Sequence, residues 1–190
     1  MSQTALLLMG VMLGFVGSSL VALWMALSDP AGIQGALNWL LGDLSRAQIH
    51  GAAFILIVTF FIAAWMVFRA RHYDRLLMGE LTARTLGVHL VKMRLEIIFL
   101  SSVLVALAVS FSGMIGFIGL LTPHAMRYFL GTLHRRLIPG VFLFGGATLV
   151  LADLISRVIA PPFELPVGVI TALVGSPLFC IFLLGRRSRE

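Results

Sequence analysis

The chain has 190 residues, of which 59% are hydrophobic and 12% charged, and its mean hydropathy is +1.03. A water-soluble domain of this size needs about twice that charged share, so a soluble enzyme, a secreted disulfide scaffold and a disordered chain are all excluded. The net charge of +6 would suggest nucleic acid in a soluble protein, but the basic residues here lie between long apolar runs, which points to topology in a bilayer and to no nucleic-acid partner.

A helix crossing the hydrocarbon core needs about 20 mostly apolar residues. Stretches free of Asp, Glu, Lys and Arg run from Met1 to Ser28, Ala47 to Phe68, Ile97 to Met126, Leu137 to Ala152 and Leu165 to Leu184. The run from Ile97 to Met126 is too long for one span. With Ser112-Gly113 in its middle it is read as a tight reversal between two spans. The reading is an all-α polytopic membrane protein, one transmembrane domain over residues 1–190, with six spans at about 4–27, 50–68, 95–112, 115–131, 138–159 and 167–185. The start, MSQTALLL, has neither a basic region nor a small-residue cleavage site, so no removable signal peptide is expected.

Charge placement supports the even count. Alternating spans gather Arg69, Arg71, Arg75, Arg84, Lys92 and Arg94, then Arg127, Arg135 and Arg136, then Arg186, Arg187 and Arg189 on one side. These are 12 of the 14 basic residues; only Arg46 and Arg157 fall elsewhere. The positive-inside rule makes that side cytoplasmic, with both termini inside. Five spans would place the last two clusters on the wrong side.

Outside, residues 28–49 contain NWLLGDL, which is too apolar for a free loop and suggests a short interfacial helix with Trp39 at the headgroup level. Inside, residues 69–94 read as a helical core from about Asp74 to Leu86, a stop at Gly87, and a second short amphipathic piece. Leu76, Leu77, Leu81 and Leu86 suit either a cytosolic partner or an acidic lipid surface.

No catalytic constellation is visible. His50, His72, His89, His124 and His134 are scattered without metal-ligand spacing, the lone Cys180 sits in an apolar run, and there is no GxxxxGK[ST] loop. Neither a metal nor any other cofactor is expected, and the chain does not itself hydrolyse ATP in the P-loop manner. Charges in or near spans are costly and therefore worth naming. Asp153 and Arg157, four apart, either pair on one helix face or relay an ion. Glu164, ahead of Leu165-Pro166, suits the start of the last span, where an acid complements the helix dipole. Arg46 lies three residues from Asp43, and the two are read as a solvated pair. Pro123-His124 inside the fourth span predicts a kink that serves packing or acts as a hinge. Gly10, Gly14 and Gly17 give the first span a small face suited to close helix packing or to lining a pathway.

Three segments carry a resemblance. MGELTARTLGV (Met78–Val88), SGMIGFIGLLTPHAMRYFLG (Ser112–Gly131) and LADLISRVIAPPFELPVGVITALVGSPLF (Leu151–Phe179) resemble motifs of the FecCD-type, BtuC-like permeases of ABC importers. LNWLLGDLSRA (Leu37–Ala47) is similar to that family's outer helix, with Asp43 and Arg46 where small residues are usual. Such permeases usually have ten spans, and the resemblance covers the last six, which implies an N-terminally truncated, split or partial permease.

The resemblance implies a bacterial inner-membrane importer of iron–siderophore, haem or cobalamin. Two permease chains would form the pathway, a separate ATPase subunit would drive it, and a periplasmic or lipoprotein binding protein would deliver cargo and supply most of the selectivity. Gly79, Glu80, Ala83, Arg84, Leu86 and Gly87 would then lie in coupling helices that contact the ATPase, with Glu80 facing a basic partner residue. The first span, with Gly10, Gly14 and Gly17, and the outer helix, with Gly42 and Ser45, would line the pathway or its gate. Pro123, His124, Asp153, Arg157, Glu164 and Pro166 would be structural or hinge positions. An ion-coupled secondary transporter using Asp153, Arg157 or Glu164, and a non-transporting membrane remnant, are the alternatives.

Overall fold

The computed structural model describes residues 3–45, 47–159 and 165–187. Arg46, Glu164 and Arg189, named above, lie outside the described residues. Two compact units divide the chain, Met1–Leu40 and Leu41–Glu190.

In the first unit, helix α1 (Gln3–Leu27) contains an apolar stretch, Leu7–Leu27, of mean hydropathy 2.0. Its side chains are exposed almost throughout, as expected where lipid rather than protein is the solvent. Gly10, Gly14 and Gly17 face open space, with no atom within 4 Å of where a Cβ would stand. Helix α2 (Pro30–Leu41) begins on a strong local signal. Asp29 Oδ1 accepts the Gly32 N–H at 3.0 Å, and Pro30 occupies the first helical position, where its missing N–H costs nothing. The outer helix therefore lies several residues earlier than Leu37–Ala47 and stops at Gly42, whose φ of +77° leaves helical space.

The second unit is built on four longer helices: α3 (Ile49–Phe68), α6 (Leu90–Ser112), α8 (His134–Val158) and α9 (Val167–Arg187). Helix α7 (Ile118–Leu130) has 13 residues. Helix α3 packs on α6 and α8, and α8 also packs on α7 and α9. Among the described residues, four helices are long and apolar enough to cross a bilayer: α1, α3, α6 and α8. At 1.5 Å per residue α7 is only about 20 Å long, short of the roughly 30 Å hydrocarbon core. Its start is delayed to Ile118 because Gly113 (φ +69°) and Phe117 (φ +66°) hold the connecting backbone out of the helix. The described apolar stretch of α9, Val167–Ile181, is likewise shorter than a full span.

Between α3 and α6 lie α4 (Ala70–Asp74), a 3-10 turn (Arg75–Met78) and α5 (Glu80–Thr85). This differs from the continuous helix expected over Asp74–Leu86. Gly79 has φ +96° and ψ 155°, a conformation that breaks any helix and that a side chain would resist.

Candidate functional site

The segment from Arg69 to Arg94 is the most constrained polar part of the described chain. Helix α5 ends in a Schellman motif. The Val88 N–H reaches Ala83 O and the Gly87 N–H reaches Arg84 O, both at 3.0 Å. Gly87 takes φ +77°, the left-handed value this motif requires. The motif's usual apolar contact is present, since Ala83 and Val88 share a small core with Tyr73, Leu90 and Met93. Ala83 has no exposed surface, so it supports the fold of the segment and offers nothing to a partner. Leu81 and Met78 are 83% and 68% exposed beside it, and Leu86 and Arg84 are also exposed.

Three polar links tie this segment to the longer helices. Glu80 pairs with Arg94, a partner on its own chain where the sequence suggested one on another protein. Asp74 Oδ1 accepts the His134 backbone N–H at 2.9 Å and lies 2.7 Å from His134 Nδ1. It thus satisfies an open donor in the first turn of α8. Glu96 Oε1 accepts from Trp65 Nε1 at 2.8 Å and from the Tyr73 hydroxyl at 3.1 Å, while Glu96 Oε2 accepts from Arg69 Nη2 at 2.9 Å. Burial pushes the Tyr73 hydroxyl above its ordinary pKa of 10.0, and its bond to the Glu96 carboxylate adds to the effect.

Glu96, Tyr73, Asp74 and His134 escaped the sequence reading as functional candidates. A signal was present: Trp65, Arg69 and Tyr73 are four apart, so three polar-tipped side chains share one face where an apolar helix ends. Their common acceptor is 23 or more residues away, and spacing alone could not name it.

At Leu41–Leu44 the chain is wedged between two other backbones. A Cβ on Gly42 would stand 2.8 Å from Met114 O and 3.0 Å from Ile115 Cγ1, and one on Gly168 would fall on Leu41 O. The Asp43 N–H donates to Ser112 O at 3.0 Å, and Asp43 Oδ1 accepts from Ser45 N–H at 2.8 Å and Ser45 Oγ at 2.6 Å, a tight Asx turn. Beneath it Ala152, Val167 and Ile170 form a second core with Leu44, Ile115, Leu149 and Leu165. Pro166 directly precedes α9, and its carbonyl accepts the Val169 N–H.

Pro123 is inside α7, and the His124 ring meets Phe179 of α9 edge-on at 6.1 Å. Arg157 Nε and Nη2 reach Asp153 Oδ2 and Oδ1 at 2.9 and 3.2 Å. The two charges pair on one face of α8. The expected site residues thus fall into separate groups: the 79–87 segment, the Gly42–Ser45 wedge, the α7–α9 contact and the α8 ion pair. The fold gathers only the first two into tightly built local structures.

The profile of the FecCD transport family matches residues 1–185. The vitamin B12 import system permease protein BtuC of Vibrio parahaemolyticus is 35% identical over 184 residues, covering 97% of this chain and 55% of that protein. The Fe(3+) dicitrate transport system permease protein FecD of Escherichia coli K12 is 38% identical over 182 residues, covering 92% of this chain and 57% of that protein. A solved structure described as an inward-facing conformation of an ABC transporter of metal-chelate type superposes with a TM-score of 0.89 at 31% identity, over 96% of this chain and 61% of that one. The chain spans about half the length of the curated relatives it matches, and these relatives are permeases, transport components rather than enzymes. It is an all-helical membrane protein with the BtuC-like helical bundle, and it belongs to the FecCD transport family.

Proposed function

We propose that this chain is a permease subunit of an ABC importer that carries cobalamin, a ferric chelate or haem across the bacterial inner membrane. The observation that carries the reading is the Arg69–Arg94 segment: short helices, closed by a glycine-dependent cap, that present Leu81 and Met78 to solvent. A solvated loop has no use for such exposed apolar side chains on a fixed scaffold, whereas a docking element does. The likeness to BtuC and FecD supports the cargo class.

In this reading both termini and the segment face the cytoplasm, where Gly79, Glu80, Arg84, Leu86 and Gly87 build the contact with an ATPase subunit and buried Ala83 holds their fold from within. Leu81 and Met78 enter a cleft of that subunit, and exposed Arg84 and Lys92 complement acidic groups at its rim. Closure of the ATPase on nucleotide displaces the segment, and the membrane helices rock as rigid bodies between outward and inward states. A second permease chain completes the pathway and a binding protein delivers cargo from outside. Gly10, Gly14 and Gly17, open in this chain, are the small surface a neighbouring helix would cover, and the Gly42–Ser45 wedge lies at the outer gate. Pro123, His124 and Pro166 are hinge positions of α7 and α9. The Asp153–Arg157 ion pair, made within one turn of α8, is structural in this reading.

The test is capture. The tagged chain, purified from membranes, should carry its ATPase subunit with it, and Leu81→Asp with Met78→Asp should cut that capture at least about tenfold while the chain stays folded. Wild-type chain that captures no ATPase would overturn the reading.

A further inference from the structure

Four helices meet at two adjacent residues. Tyr73 and Asp74 close α4, and each ties it to a different membrane helix. The Tyr73 hydroxyl donates to Glu96 on α6 at 3.1 Å, and Asp74 holds the first turn of α8 through both the backbone N–H and the ring of His134. The Tyr73 and His134 rings also meet edge-on at 6.1 Å. Glu96 in turn holds the end of α3 through Trp65 and Arg69. The node is packed as well as bonded: Ala70 is buried, and Tyr73 sits in the core that also contains Ala83 of α5 and Met93 of α6.

We propose that Glu96 and Asp74 are positioning residues that transmit displacement of the docking segment into α3, α6 and α8. The inference rests on the reading that an ATPase pushes on this segment. The physical argument concerns stiffness. Apolar contacts slide, because dispersion has no direction. Bonds to a carboxylate are directional and stronger than neutral ones, so they fix register. Around α5 the exposed apolar residues supply a surface to push on, and the only charge-assisted links in the described segment that reach membrane helices run through Glu96, Asp74 and the Glu80–Arg94 pair. Glu96 makes α3 and α6 move together, and Asp74 adds α8. Without Asp74, α4 still rides on α3 and α6, but α8 is left with packing and the Tyr73–His134 ring contact, which fix no register.

The experiment places spin labels at Phe99→Cys on α6 and Val150→Cys on α8, both exposed, in a Cys180→Ser background. The chain is reconstituted in vesicles with its ATPase subunit, and the inter-label distance is measured without nucleotide and with ATP plus vanadate. In the wild type, nucleotide should change the distance. In Asp74→Leu, which removes the acceptor, the nucleotide-free distance, ATPase capture and ATP hydrolysis should hold, while the nucleotide-driven change shrinks about fivefold or more. Asp74→Asn, whose Oδ1 still accepts from His134, and Tyr73→Phe, which removes one hydroxyl and keeps the packing, should shrink it less, and Glu96→Met should shrink the corresponding change between α3 and α6. An undiminished change in Asp74→Leu and Glu96→Met would overturn the proposal while leaving the permease reading intact. So would capture, hydrolysis and distance change falling together, since that marks a merely structural role. A wild-type chain that captures no ATPase would overturn both.

Discussion

Replacing Gly42 by alanine asks how tightly the wedge at Leu41–Leu44 is built. Two costs apply. At φ +77° an L-residue is strained by about 1–2 kcal/mol. The new methyl would also stand 2.8 Å from Met114 O and 3.0 Å from Ile115 Cγ1, and because the first is backbone it cannot rotate away. Overpacking of that kind costs about 1–3 kcal/mol. The sum is roughly 2–5 kcal/mol. Two internal controls separate the costs. Gly87 has the same φ of +77° with nothing within 4 Å of its Cβ position, so Gly87→Ala should show the strain alone. Gly146, within α8, has neither strain nor crowding, so Gly146→Ala should be neutral or slightly stabilising, by up to about 1 kcal/mol. Thermal unfolding in detergent, followed by tryptophan fluorescence, reads the order. At about 2–4 °C per kcal/mol for a chain of this size, Gly42→Ala should lower the midpoint by at least about 4 °C. If Gly42→Ala costs no more than Gly87→Ala, the chain is not wedged at Leu41–Gly42 and the account of that segment fails.

Two further outcomes follow from the same coordinates. A Cβ on Gly168 would fall on Leu41 O, a backbone atom, whereas one on Gly140 would fall on Leu130 Cδ1, the end of a flexible side chain. Gly168→Ala should therefore lower the unfolding midpoint more than Gly140→Ala, by an amount corresponding to about 1 kcal/mol or more. For Tyr73 the raised folded-state pKa means the native state holds the hydroxyl proton more tightly than the unfolded chain does. Its contribution to stability is intact below pH 10 and is lost as pH rises through the raised value. Ultraviolet titration should show a phenol ionising above pH 10 that vanishes in Tyr73→Phe, and a titration unchanged by that substitution would refute the assignment.

How much was legible in advance depended on the range of the interaction. Apolar runs report directly on contact with lipid, because each residue's transfer free energy is nearly independent of its neighbours; so α1, α3, α6 and α8 were visible as runs. The stop at Gly87 was visible too, since a helix cap is decided within six residues. Asp29-Pro30 is an equally local signal for the start of α2, several residues ahead of the Leu37–Ala47 motif. The break at Gly79 was a different matter: glycine permits φ +96° without demanding it, and what holds that conformation is the packing of Ala83 against Tyr73 and Met93.

Amino-acid order by itself determined that this protein lives in a bilayer and where its four long apolar helices run. Only the tertiary structure decided that Glu96 binds three donors from α3 and α4, that Asp74 rather than solvent satisfies the start of α8, that Glu80 is held by Arg94, and that Leu41, Met114 and Gly168 meet backbone to backbone. Each of those contacts joins residues 14 to more than 100 positions apart. Their partners are chosen by how whole helices pack, a property that no local window of sequence contains.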